Sequence, residues 1–363
     1  MKKLKKASGI AYMTIILLST VYFIFGAGNL KNFNATAFPK LNRENFLDGT
    51  FAEEFEAYLK EYLGFHDSLF QLKSRSDFII GEKRIQGVYI TEERLMKKNS
   101  LAGTGSAEQI NAFYEAYPLP TYLVLVPSAS DIYEETLPAN MLYTSQEKWI
   151  KSIYSDTSTG IRCIDAYHIL NSLEDSYIYY RTDSHWTSYG AYYVYQSAIQ
   201  KMGFTPVSYQ KYVISHLSTE FRGDLYQKTL YDKVKPDVLD CYTYEKGSQI
   251  LGITAYYQDG MVQKRTELYD RSALETENMY QFYLGKPCEK LIIKTDLEND
   301  KKLLLYKDDY ADCMIPFLLQ HYAEICVVNL EQTGANFEHI VSPEDYTQIM
   351  ILCSAENWQE IFQ

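Results

Sequence analysis

The sequence is short of basic residues and of the cysteine spacings that bind metals. Lysine and arginine total 35 against 47 aspartate and glutamate residues, and the formal net charge is −12. Nucleic-acid binding needs Lys and Arg side chains that neutralise phosphates, so this charge argues against a nucleic-acid partner. The six cysteines include no Cys-x-x-Cys pair, and the histidines other than His185 show no metal-ligand spacing. The sequence therefore predicts neither a metal site nor a bound cofactor.

The N-terminus carries a basic flank followed by a long apolar run. Four lysines stand among the first six residues, and the mostly apolar run covers residues 10–27. A run of about 18 residues is at the short end of a membrane span and longer than a usual signal-peptide core. Cleavage near the small residues 26–28 would give a secreted protein. The sequence instead predicts a retained anchor over residues 1–30, with the lysines in the cytoplasm and an extracytoplasmic domain over residues 31–363.

Short apolar runs alternate with helical patterns along most of the remaining chain. Strand-like runs cover residues 121–126, 161–164, 303–306, 325–330 and 348–353. Uniformly apolar short strands separated by helices indicate a parallel sheet with helices on both faces. The rhythm is lost between about residues 209 and 296, which predicts an irregular insertion with some antiparallel strand. The predicted fold class is α/β, with a mainly parallel sheet built from both halves of the sequence.

Residues 179–187 combine a carboxylate and an imidazole two positions apart. Asp183 and His185 follow what the pattern predicts to be an extended segment, residues 177–181. Side chains at i and i+2 of an extended backbone project to the same side. Asp183 and His185 could therefore act as an orienting acid and a base, two members of a hydrolase triad.

A second polar cluster, residues 307–310, follows the predicted strand 303–306 and precedes a predicted helix, residues 311–322. In open parallel sheets, functional groups gather just past the carboxyl ends of the strands. The backbone N–H groups and the positive end of the helix dipole lie beside such a turn. This turn is therefore the expected place for a nucleophile.

Four stretches of the sequence, residues 87–90, 123–127, 180–192 and 307–311, carry a likeness to a known family. Through them the sequence resembles the DHHW family of extracytoplasmic proteins, a branch of the SGNH/GDSL hydrolases related to the alginate O-acetyltransferase enzymes. The stretch 180–192 is the most specific. The resemblance runs from about residue 46 to the C-terminus. It implies an SGNH-hydrolase-like fold and a link to O-acylation or deacylation of cell-envelope glycans, as transferase or esterase.

The resemblance also assigns roles to individual residues. The Asp and His of the family's D-x-H-W motif correspond to Asp183 as orienter and His185 as base. The family's later D-S motif, which carries the serine nucleophile, corresponds to Asp308 and Asp309, so aspartate occupies the serine position. A carboxylate facing His185 would favour the imidazolium, which is a poor base at neutral pH. An alternative is therefore a non-catalytic relative that binds a glycan or a partner envelope protein.

Four further residues are candidates for substrate binding: Gly223, Asp308, Tyr310 and Trp186. Gly223 is either an oxyanion donor or a turn glycine that needs a positive φ. Trp186 either stacks on a sugar or packs in the core.

Overall fold

The computed structural model describes residues 66–101, 103, 105–137 and 145–362, together with residues 39, 40, 42, 45, 50, 51, 54, 55 and 58. The chain forms two compact units, Met1–Ile80 and Gly81–Gln363. The predicted anchor, residues 1–30, lies outside the described residues. Within the described ranges, no helix is both long enough and apolar enough to cross a membrane.

Helix α1 of the first unit covers His66–Ile79. The strands described in the second unit are β1 (Arg84–Ile85), β2 (Val88–Ile90), β3 (Leu95–Lys97), β4 (Thr121–Val126), β5 (Ile161–Ile164), β6 (Val213–Phe221), β7 (Asp237–Thr243), β8 (Ile250–Tyr256), β9 (Val262–Arg265), β10 (Lys290–Thr295), β11 (Lys302–Lys307), β12 (Glu324–Asn329) and β13 (Gln348–Ser354). Its described α-helices are α2 (Glu108–Ala116), α3 (Ala129–Ile132), α4 (Gln146–Asp156), α5 (Ala166–Asn171), α6 (Ser188–Lys201), α7 (Asp224–Thr229), α8 (Ile315–Leu318), α9 (Leu330–Thr333) and α10 (Ala355–Phe362).

A central sheet with the strand order β5-β4-β13-β11-β12-β10-β8-β9 organises the second unit. The five strands from β5 to β12 are parallel to their neighbours, whereas β10, β8 and β9 continue the sheet as antiparallel strands. Strands β4 and β5 come from the first half of the sequence and β11 to β13 from the second. The prediction of an α/β fold with a large, mostly parallel sheet is therefore confirmed.

Both faces of the parallel part of the sheet are covered. In β4, Tyr122, Val124 and Val126 pack on one side with residues of α5 and α6. Leu123 and Leu125 pack on the other side with residues of α2, α4 and α10. Because every position of such a strand faces a packed layer, the strands are apolar throughout rather than alternating.

The segment 209–296, which was predicted to be an insertion, is partly integrated into the central sheet. Strands β6 and β7 form a two-stranded ribbon of their own. Strands β8, β9 and β10, however, join the central sheet, where Ile292 of β10 pairs with Cys326 of β12. Burial alternates along β10, because only one face of this antiparallel extension is packed. The predicted antiparallel character is present, and part of it belongs to the main sheet.

Two local predictions beside the site are wrong. Residues 177–181 form no ladder strand, and the only β contact there is an isolated bridge between Tyr179 and Trp186. The predicted helix 311–322 is a 3₁₀ helix, Asp309–Met314, followed by the single turn α8. Pro316 is the second residue of α8, in the first turn, where a missing N–H costs no helical hydrogen bond. The polypeptide after β11 is thus a tight turn rather than a long helix.

Candidate active site

Asp183, His185 and Asp309 converge beside the carboxyl end of β11. Nδ1 of His185 lies 2.6 Å from Oδ1 of Asp183. Nε2 on the other side of the ring lies 3.0 Å from Oδ1 of Asp309. The imidazole is therefore flanked by a carboxylate at each nitrogen, and the second carboxylate occupies the expected nucleophile position.

A turn, rather than an extended strand, brings Asp183 and His185 together. The backbone N–H of His185 donates to Oδ1 of Asp183 at 2.9 Å, and the same oxygen accepts the hydrogen bond from Nδ1. An aspartate that accepts the amide two residues on forms an Asx turn. The sequence pattern therefore identified the correct pair of residues, but a turn holds the pair together and not the side-chain alternation of an extended strand.

Tyr280 and Tyr310 enclose the His185 ring. The Tyr280 ring stacks on the imidazole with centroids 3.8 Å apart and planes 9° apart. Its hydroxyl donates to the backbone oxygen of Asp309 at 3.2 Å. The Tyr310 ring lies 5.0 Å away at 51°. The His185 side chain is consequently only 8% exposed, so its charge is decided by the two carboxylates more than by water.

The two carboxylates hold His185 in its charged form. Burial alone would lower the pKa of His185, but Asp309 and Asp183 outweigh burial and keep that pKa well above its usual range. Burial would likewise raise the pKa of Asp309, but the neighbouring His185 lowers it below its usual value. The Asp309 side chain is 40% exposed and so reaches the solvent-filled cleft. Both shifts favour an imidazolium beside a carboxylate.

Asp308 anchors the turn that presents Asp309. Its carboxylate accepts hydrogen bonds from the backbone N–H of Tyr310 at 3.1 Å, from that of Ser354 at 2.7 Å and from Nδ2 of Asn357 at 3.0 Å. Burial and the adjacent Asp309 raise the pKa of Asp308 to about 7. Asp308 thus ties the end of β11 to the end of β13 and to α10.

A cavity of about 180 Å³ opens in front of His185 and Asp309. None of the four residues predicted to bind substrate, Gly223, Asp308, Tyr310 and Trp186, lines it. Trp186 is fully buried and its Nε1 donates to the backbone oxygen of Tyr310 at 2.6 Å. The Tyr310 hydroxyl donates to the backbone oxygen of Ser184 at 2.6 Å. These residues brace the loop around His185 instead of contacting a ligand.

Gly223 has neither of the two roles expected of it. Its φ is −84°, so no left-handed turn requires glycine there. Its N–H donates to Oγ1 of Thr182 at 3.2 Å and is therefore engaged. A Cβ at this position would lie 2.0 Å from Oδ2 of Asp183. Glycine is required because the Asp183 carboxylate packs directly against the backbone.

The sequence patterns did not identify several residues of the site. Tyr280 is one of 34 tyrosines, Asn329 lies in a segment that carries no motif, and Asp224 was given no role although it follows the candidate Gly223. Asp224 accepts the N–H of Ser184 at 2.7 Å through Oδ1. Asn329 follows β12 and lines the cavity. Among the residues that the structure describes, no three His, Cys, Asp or Glu side chains are grouped to hold a metal ion.

The sequence of the chain matches a protein-family model. A family model described as DHHW protein matches residues 118–328, which is more than half of the chain. This chain belongs to the DHHW family. The matched range contains Asp183, His185 and Asp309, and the resemblance that the motifs carry is confirmed.

Two solved structures share the fold of this chain at low sequence identity. A DHHW family protein from Eubacterium siraeum is 22% identical with a TM-score of 0.62, covering 76% of this chain and 96% of that one. Bacillus cereus PatB1, solved with a sulfonyl adduct, is 16% identical with a TM-score of 0.62, covering 75% and 95%. The O-acetyltransferase domain of Pseudomonas putida AlgJ is 12% identical with a TM-score of 0.47, covering 75% and 92%. No match was found among curated proteins.

Replacing Gly223 with alanine tests the close packing behind Asp183. The added Cβ would overlap the Asp183 carboxylate, so Gly223→Ala should lower the free energy of unfolding by about 1–3 kcal/mol and displace Asp183 from His185. Chemical denaturation measures the first effect. Gly252→Ala is the matched control, because a Cβ there meets nothing within 4 Å. Equal stabilities for the two variants would contradict the packing.

The charge on Asp309 can be tested through the titration of His185. Asp309→Asn keeps the side-chain size but leaves only Asp183 to favour the imidazolium, so the pKa of His185 should fall. A pH titration followed by NMR of the ring nitrogens measures this, with Asp345→Asn, an exposed site, as the control. An unchanged His185 pKa in Asp309→Asn would show that Asp309 does not set its charge.

The pH range in which this ion pair stabilises the fold follows from the directions of the two shifts. The raised pKa of His185 gives a contribution that is complete below about 6.5 and is lost as pH rises through the folded-state pKa. The lowered pKa of Asp309 gives a contribution present above about 3.8 and lost as pH falls. The stability difference between the unmodified protein and Asp309→Asn should therefore be largest between roughly pH 4 and 6.5.

Proposed function

We propose that this chain binds an acylated glycan of the cell envelope in the cleft before His185, without serine-type turnover. The observation that carries the proposal is the 3.0 Å contact between His185 Nε2 and Asp309 Oδ1. The chain belongs to the DHHW family, and the resemblance carried by its sequence motifs implies a link of that scaffold to acyl chemistry on envelope glycans. The residue at the nucleophile position then argues for binding over hydrolysis.

Serine-type acyl transfer needs a neutral imidazole that can accept the nucleophile's proton. In this chain, the position that would hold a hydroxyl holds a carboxylate, which has no proton to give. The same carboxylate keeps His185 as an imidazolium, which has no free lone pair at either nitrogen. Both requirements for serine chemistry are therefore removed by the one side chain Asp309.

The cavity has the size and lining for a small polar substituent. Its volume of about 180 Å³ is below the roughly 300 Å³ at which pockets take a drug-sized ligand. Its walls include the amides of Asn278, Gln281 and Asn329 and the carboxylate of Asp224. Such groups suit hydroxyl and carbonyl groups, so an acyl substituent and its attachment point fit better than a complete sugar chain.

The proposed location is the outer face of the cell membrane. It depends on the sequence alone, through the lysine cluster and the apolar run 10–27. A retained anchor would hold the domain 31–363 next to envelope polysaccharide, whereas cleavage would release it as a secreted protein. A membrane and an envelope polysaccharide are accordingly the proposed partners.

A second candidate function is catalysis with Asp309 itself as the nucleophile, favoured by its 40% exposure to the cleft. A carboxylate oxygen would bond to the acyl carbon, and the ester oxygen would leave with the proton of the His185 imidazolium. The product on the protein is a mixed anhydride. Hydroxylamine would convert that anhydride at Asp309 into a hydroxamate, which peptide mass spectrometry detects.

Asp309→Ser tests the proposal by restoring the missing hydroxyl. The unmodified protein should not hydrolyse aryl acetates, whereas Asp309→Ser should exceed the Asp309→Ser/His185→Ala double variant by about 100-fold or more, since that is the range of general-base catalysis. Asp309→Ala is the matched control, because it removes the charge without adding a nucleophile. Initial rates of aryl acetate hydrolysis measure these differences.

Labelling by a sulfonyl fluoride gives a second readout. A serine oxygen would displace fluoride and add one sulfonyl group to Asp309→Ser, visible by intact-mass spectrometry, and the Asp309→Ala control should stay unlabelled. Turnover by the unmodified protein that is lost in His185→Ala would overturn the binding proposal. A hydroxamate at Asp309 after exposure to substrate would favour the aspartyl nucleophile instead.

A further inference from the structure

Asp237, the first residue of β7, is a fully buried carboxylate with no assigned role. It accepts the hydroxyl of Tyr177 at 2.5 Å through Oδ1 and the hydroxyl of Thr182 at 2.5 Å through Oδ2. It also accepts the backbone N–H groups of Arg181 and Thr182, each at 2.8 Å. Four donors thus converge on one side chain, and three of them belong to the two residues that lead into Asp183.

One partly exposed cation lies near the carboxylate. Nη1 of Arg181 is 3.7 Å from Oδ1 of Asp237, too far for a hydrogen bond, on a side chain that is 33% exposed. Removing a carboxylate from water is costly unless hydrogen bonds replace the lost hydration. The two oxygens of a carboxylate offer about four acceptor sites. An asparagine would offer one oxygen and would turn an NH₂ group toward the remaining donors, so the four-donor arrangement specifically requires the acid.

A chain of hydrogen bonds connects Asp237 to the backbone that packs against Asp183. Oγ1 of Thr182 donates to Asp237 and accepts the N–H of Gly223 at 3.2 Å. Gly223 in turn packs against the Asp183 carboxylate with no room for a Cβ. Asp237 therefore fixes both the chain that enters Asp183 and the backbone behind it.

We propose that Asp237 is the positioning residue of this site: by holding Arg181 and Thr182, it keeps Asp183 on Nδ1 of His185. It touches neither the His185 ring nor the cavity, so it acts only through Asp183. The positioning role does not depend on the proposed function. Of the tests below, only the reactivity test rests on the proposed function.

The first test uses the unmodified Asp309 centre and needs no activity. A short N–H···O⁻ hydrogen bond such as that from His185 Nδ1 gives a low-field proton resonance. Asp237→Asn should broaden or remove this resonance, while Asp240→Asn should leave it. Asp240 is a suitable control because it lies on the same strand and its carboxylate pairs with the exposed His216 at 2.6 Å. A folded Asp237→Asn protein with an unchanged resonance would overturn the proposal.

A second variant keeps the proposal open to refutation if Asp237→Asn does not fold. Tyr177→Phe removes one of the four donors and is expected to shift the His185 Nδ1 proton partway upfield. An identical resonance in a folded Tyr177→Phe protein would count against positioning through Asp237.

The reactivity test combines these variants with Asp309→Ser. Asp237→Asn should slow sulfonylation of the serine at least 10-fold at saturating reagent, with little change in the reagent concentration for half-maximal rate. A change confined to that concentration would overturn positioning, because it would place Asp237 in ligand binding. Absence of any labelling in Asp309→Ser would count against the proposed function alone, since the resonance of the unmodified centre still decides the role of Asp237.

Discussion

The site depends on one interaction, a buried imidazole held between two carboxylates. Asp183 fixes one nitrogen of His185 at 2.6 Å and Asp309 the other at 3.0 Å. Replacing the second carboxylate by a serine hydroxyl would give the familiar acid–base–nucleophile order. With the carboxylate present, the same geometry is an ion pair, and the imidazolium it stabilises is the wrong form of the base. The side chain at position 309 thus decides whether the centre can react or only bind a ligand.

Carboxylates also hold the loop that carries this imidazole. The N–H groups of Arg181 and Thr182 donate to Asp237, and that of Ser184 donates to Asp224. The N–H of His185 donates to Asp183. An irregular loop leaves its backbone donors unpaired unless side chains accept them. The acidic side chains around this site therefore serve to accept hydrogen bonds from the backbone N–H groups of the loop. Their number alone does not indicate a cation site.

The segment between the two sequence halves supplies the surroundings of the site. Strand β7 brings Asp237, the turn after β6 brings Gly223 and Asp224, and the stretch before β10 brings Tyr280. The motif around His185 thus depends on a region that showed no regular pattern in the sequence. Variation in the parts of this region outside β8, β9 and β10 would alter the cleft without changing the central sheet.

The elements with strong local signals could be predicted, and so could the meeting of Asp183, His185 and Asp309. Strands β4 and β5 have the predicted bounds, because short apolar runs between turns leave little choice of structure. The contact of Tyr280 with His185 could not be predicted, since no periodicity encodes which side chains meet across loops. The same holds for Asp237 and Thr182. Gly223 was assigned to the right region but to the wrong role, because backbone packing is a property of the folded chain. For Trp186 the core-packing alternative is correct, since its side chain is fully buried.

The central claim concerns where the protons lie, and neutron diffraction from a deuterium-exchanged crystal at neutral pH measures this directly. The account predicts deuterium on both Nδ1 and Nε2 of His185, with no deuterium on the Asp309 carboxylate that accepts from Nε2. A single deuterium on the ring would contradict it, because His185 would then be a neutral base available for catalysis.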